Sequence, residues 1–134
     1  MKTNEHVSPP LEPEHIRALL NDLPAALEAV IGTEIIQSTY GYGSRLHPAL
    51  CYIEMEVGSS WLCRFIKESI EQGIVIPAAS DFIFQARNGE LEVEFCHDAH
   101  IHVSGTNSVL VSAILARPEY ANAFQVAGQP GSAA

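Results

Sequence analysis

The sequence predicts an α+β domain: an antiparallel sheet of about five strands, a hairpin plus a three-stranded meander, with helices packed on one face. Three observations predict it. Apolar residues recur at helical spacing in two separate segments, Asn88-Gly89 divides two runs of alternating apolar and polar residues, and a further alternating run follows them. At 134 residues the chain has room for one hydrophobic core. Residues 1–10 and 127–134 mix Pro, Gly, Ser and small residues without periodicity and read as flexible tails. The domain is expected over residues 11–126.

The first helix is expected from Pro13 to Ile31, where Ile16, Leu19, Leu20, Leu23 and Leu27 form one stripe and Pro13 suits the first turn. Inside it, Pro24 clashes with the carbonyl four residues earlier, and Asn21 and Asp22 are good N-caps, so a kink or break is expected near Asp22. Thr33 to Tyr40 and Ala49 to Val57 are rich in β-branched and aromatic residues and read as two strands. The second alternates Cys51, Ile53, Met55 and Val57 with Tyr52, Glu54 and Glu56. Between them, Gly41 to Pro48 is the loop of a long hairpin.

A second helix, capped by Ser59 or Ser60, carries the stripe Leu62, Phe65, Ile66 and Ile70 and stops at Gly73, which takes a left-handed conformation without penalty. Arg64 with Glu68, and Lys67 with Glu71, stand four apart on its other face. Trp61, Cys63 and Cys51 are expected in the core.

Phe82 to Arg87 and Glu90 to Cys96 flank Asn88-Gly89, the pair that best tolerates the two positive φ values of a type I′ turn. The resulting register sets Phe82 against Phe95, Phe84 against Val93, Ala86 against Leu91 and Arg87 against Glu90. A three-residue loop, His97 to Ala99, then sets Phe95 against Ile101 and Val93 against Val103, whereas a two-residue loop would oppose Phe95 to a histidine. Thr106, Asn107 or Ser108 caps a closing helix through Ala116, and Pro118 starts a last turn ending near Phe124. The order is α-β-β-α-β-β-β-α.

Seven Lys and Arg against sixteen Asp and Glu give a formal charge of −9. Phosphate backbones and anionic lipid surfaces repel such a chain, so neither nucleic acid nor a membrane is an expected partner. The three cysteines lack CxxC spacing, which speaks against a disulfide framework and for a reducing compartment. No secretory signal and no apolar run of bilayer length is recognisable, so a cytoplasmic setting is expected.

The meander register gathers Glu92, Glu94, Cys96, His100 and His102 on its polar side. His100 and His102 share a face and can ligate one divalent metal such as zinc, with Glu94 as third ligand, which is the arrangement of a metal-dependent hydrolase. A solvated surface, in which Glu opposite His is a favourable cross-strand pair, uses the same residues without a metal or any cofactor. Tyr40, Tyr42, Arg45 and His47 crowd the glycine-punctuated loop and can stack on a ring and fork onto an anion, although an ordinary hairpin loop has the same composition. Cys96 beside His97 suggests an activated thiol, but strand neighbours point to opposite faces and no third orienting group is recognisable.

With no catalytic constellation, the leading expectation is a small acidic binding protein whose sheet captures a basic protein partner, for example an immunity protein neutralising a toxin. The contact residues would be Glu54, Glu56, Glu90, Glu92, Glu94 and His102. Homodimer formation through an open strand edge is a third reading.

Overall fold

Successive side chains of a strand point to opposite faces, so the burial pattern along each strand shows where the helices lie. In the computed structural model, which describes residues 4–125, Ile36, Phe82, Phe84, Ala86, Leu91, Val93, Phe95, Ile101 and Val103 are buried on one face of the sheet. They meet the apolar stripes of the helices in one core. The elements are β1 (His6–Val7), α1 (Pro13–Ile31), β2 (Ile35–Tyr40), β3 (Glu54–Gly58), α2 (Ser59–Glu71), β4 (Phe82–Ala86), β5 (Leu91–Phe95), β6 (Ile101–Ser104), α3 (Ser108–Leu115) and α4 (Pro118–Gln125). Six antiparallel strands stand in the order β1-β6-β5-β4-β2-β3. The α+β class is therefore as expected, with one strand more.

That strand comes from the amino-terminal segment expected as a tail. Val7 pairs with His102 and His6 with Val103, Ser8 and Leu11 are buried, and the Ser8 N–H donates to the Ile101 carbonyl at 2.9 Å. Pairing outweighs the unpromising composition because the outer edge of β6 otherwise leaves its backbone groups unbonded. The expected tail at residues 127–134 lies outside the described residues.

Helix α1 begins with Pro13 in its first turn and buries Ile16, Leu19, Leu20, Leu23 and Leu27. It does not break at Asp22. Pro24 lies inside one uninterrupted helix, because apolar side chains on both sides of it are anchored in the core. Asp22 instead accepts from the Arg117 guanidinium at 3.1 Å. Helix α2 buries Leu62 and Ile66 and makes the Arg64–Glu68 pair at 2.9 Å. Its N-cap is Gly58 with no side-chain bond, since the Ser59 hydroxyl accepts from the Glu34 N–H across the hairpin.

Both registers of the meander are as read from the sequence: Phe82 to Phe95, Phe84 to Val93 and Ala86 to Leu91, then Phe95 to Ile101 and Val93 to Val103. The exception is Arg87 with Glu90. Asn88 and Gly89 take positive φ, and one bond from the Glu90 N–H to the Arg87 carbonyl closes the turn without extending the ladder. Asn107 caps α3, accepting from the N–H groups of Val109 and Leu110. The strand expected over residues 49–57 is shorter, starting at Glu54. Pro48–Leu50 forms a short 3-10 turn, and positive φ at Tyr52 ends the extended run.

Beyond β3, α2 carries the chain over β2 into β4. Strands β3 and β4 both run antiparallel to β2 and so parallel to each other. This crossover leaves β3 at one end of the sheet.

Candidate functional surface

The face of the sheet turned away from the helices is built from two rows that cross the strands. One row is Val7, His102, Glu94, Ile83, Thr39 and Glu54; the next is Ser104, Glu92, Gln85, Gln37 and Glu56. Glu54 and Glu56 are exposed, while Glu92, Glu94 and His102 are half-buried. None of the six strands contains Lys or Arg. The bases of the described residues lie elsewhere: Arg17, Arg64 and Lys67 on the helices and Arg45 on the connecting loop. Arg87 pairs with Glu34 at 2.6 Å and Arg117 with Asp22 at 3.1 Å.

Of the acids expected on this face, Glu90 is elsewhere. It lies in the β4–β5 turn, where its carboxylate accepts from the Asn107 side-chain amide at 3.3 Å. The two histidines turn their Nδ1 atoms to the amino-terminal segment. His100 Nδ1 is 2.7 Å from the Ser8 carbonyl oxygen, so it donates, and His102 Nδ1 is 3.0 Å from Glu5 Oε2. Glu94 stands opposite His102 in the ladder. Among the described residues, His100, His102 and Glu94 are not a group with ligand atoms within 4.8 Å of one another.

Among the described residues, the group whose ligand atoms lie within 4.8 Å of one another is Asp81, Cys96 and His97. Asp81 Oδ1 accepts from the His97 backbone N–H at 2.7 Å and lies 2.8 Å from His97 Nδ1. His97 Nε2 is 3.3 Å from Asp98 Oδ1, and the ring packs on Tyr42 with centroids 4.6 Å apart. The Asp81 hydrogen bond holds the imidazole pKa above its ordinary value, against an opposing effect of burial, and the charges of Asp81, Asp98 and Glu94 add smaller contributions in the raising direction. Protonated, the ring bridges two carboxylates and is itself the cation of the cluster. A metal ion would have to displace that proton from Nδ1.

Cys96 Sγ lies 4.0 Å from the same Nδ1. Burial first, then Asp81, Asp98 and Glu94, raise the thiol pKa, despite a backbone hydrogen bond at Asp98 that lowers it. A base already donating Nδ1–H to a carboxylate cannot take the thiol proton there, so this Cys-His-Asp grouping lacks the geometry of an activated nucleophile. The residue that sequence reasoning missed here is Asp81. Extending the Phe82–Phe95 register by one step would have put it opposite Cys96. Glu5 was missed because its segment was expected to be mobile.

The loop residues are dispersed. Tyr40 is 7% exposed, packs with Phe65 and Phe82 in a three-ring cluster and hydrogen-bonds Ser69, so it is a core residue. Burial raises its pKa, against that bond. Tyr42 is exposed, and so are Arg45 and His47; the His47 ring accepts from the Ala49 N–H at 3.1 Å. The loop leans on the 74–81 segment through Arg45 N–H to the Ile74 carbonyl. Gly43, with φ +83°, fits there because any Cβ would overlap the Ala79 carbonyl oxygen.

Trp61, 61% exposed, and Cys63, also exposed, lie outside the core in which they were expected. Cys51 is half-buried. Trp61 and Cys63 lie on either side of Leu62, whose stripe turns inward and theirs outward.

No family model, curated protein or solved structure matches this chain. No helix among the described residues is long and apolar enough to cross a membrane.

Proposed function

We propose that this protein binds a basic protein partner on the open, acidic face of its sheet. The observation that carries the reading is the segregation of charge: Glu54, Glu56, Glu92 and Glu94 share a face, and no strand supplies a Lys or Arg. A predominance of acidic groups on a rigid surface speeds encounter with a basic partner and disfavours anionic ones. An immunity protein that neutralises a cationic toxin is one concrete form, and three free cysteines suit a reducing cytoplasm. His102, held to Glu5 at 3.0 Å, anchors the margin of the face.

The test is association kinetics with a basic protein captured from the native host, for the wild type and for the double variant Glu92→Lys/Glu94→Lys, with folding checked by circular dichroism. The expected outcome is a rate lowered about tenfold or more at low salt, with the difference shrinking as salt screens the field. Equal rates at low salt would remove the reading.

A further inference from the structure

At the end of the sheet, β3 pairs with β2 alone, and its two faces differ in chemistry. The Ser59 N–H donates to the Glu34 carbonyl at 2.8 Å, which makes those two residues a hydrogen-bonded pair of the antiparallel ladder. Such pairs recur at every second residue. Met55 and Val57 therefore direct their N–H and C=O groups to β2, while Glu54, Glu56 and Gly58 direct theirs to the open edge. The Glu54 and Glu56 side chains stand on the acidic face. On the helix side, Val57, Trp61 and Phe65, with the Arg64–Glu68 ion pair, line a groove of about 260 Å³ beside the same edge.

We propose that the basic partner docks an extended segment along β3 as a seventh strand, an inference that rests on the function proposed above. Lys or Arg at alternate positions of that segment would lie beside Glu54 and Glu56, and the intervening apolar residues would cover Trp61 and Phe65. Main-chain bonds supply affinity in this mode and alternating side chains supply selection. A second copy of this chain fits the edge poorly. The two-fold register that pairs all five residues of β3 sets Glu56 against its own copy, and the register centred on Met55 sets Glu54 against Glu56, both like-charge oppositions that destabilise a sheet. The register centred on Val57 avoids them but pairs only three residues of β3 with each other. The longest self-pairing of the edge is thus disfavoured by charge, while a basic, alternating strand matches its full length.

The experiment titrates a synthetic peptide of alternating lysine and valine into the isotope-labelled full chain at low salt, following backbone amide exchange by NMR. The expected result is exchange at Glu54, Glu56 and Gly58 slowed about tenfold or more, together with a change in Trp61 fluorescence. Glu56→Pro removes one edge N–H and Glu56→Gln keeps it, so the proline variant should bind the peptide about tenfold more weakly than the glutamine variant. Protection confined to Glu92, Glu94 and their neighbours would overturn the edge proposal and leave the acidic-face reading intact. Absence of binding, or equal affinity of the two variants, also overturns it, and the kinetic test with the captured partner then judges the wider reading separately. If Glu56→Pro fails to fold, amide exchange on the unaltered chain decides.

Discussion

Ser38 is fully buried on the helix side of β2, and its hydroxyl has no hydrogen-bond partner among the described residues. Removing a buried, unsatisfied hydroxyl relieves its desolvation, so Ser38→Ala should raise stability by about 1 kcal/mol in urea unfolding. Gly105 has φ +150°, and a Cβ there would overlap the Glu90 carbonyl oxygen, whereas a Cβ at Gly89, φ +91°, meets nothing within 4 Å. Gly89→Ala should therefore cost about 1 kcal/mol and Gly105→Ala about 3 kcal/mol or more. His97 supplies a pH dependence. Its folded pKa is raised above the ordinary 6.5, so the stability it contributes is complete below that value and is lost as pH rises through the raised one. Asp81→Asn should move the His97 midpoint, followed by NMR, down toward 6.5. The stability gap between wild type and variant should be widest in mildly acidic solution and narrow as pH rises; an unmoved midpoint would mean Asp81 does not hold the proton.

Among the elements, β1 and α1 show where local signals mislead. Two residues of β1 bring no pattern of their own, yet the buried Ser8 hydroxyl accepts the Ile101 N–H at 2.9 Å and donates to the Pro9 carbonyl at 2.8 Å. Ser8→Ala leaves that amide unsatisfied and should cost about 1–3 kcal/mol, with faster amide exchange along β6. Pro24 was read as a break, but Leu20 and Leu23 before it and Ala26 and Leu27 after it are all buried. Burial on both sides outweighs one missing N–H. Pro24→Ala should consequently stabilise the protein by about 1–3 kcal/mol in urea unfolding.

Over the whole molecule, the sheet divides a helical side carrying Arg17, Arg64 and Lys67 from an open side of glutamates, and this division is the basis of the proposed binding function. The meander registers were legible in advance because a one-residue slip would have turned Phe82, Phe84, Val93 and Phe95 to the solvent. The acids of β3 and β5 could be assigned to a polar face for the same reason, as period-two alternation is a local property. Residues brought together from distant segments could not: Asp81 with His97, Glu5 with His102, and the edge position of β3 depend on strand order and on the docking of the amino terminus. The sequence by itself determined the element types, the apolar stripes and the meander pairing, since each follows from side-chain period and turn chemistry within a few residues. Only the tertiary structure decided the sixth strand, the exposure of Trp61 and the continuity of α1, because those depend on which distant surface is present to bury a side chain or bond a backbone group.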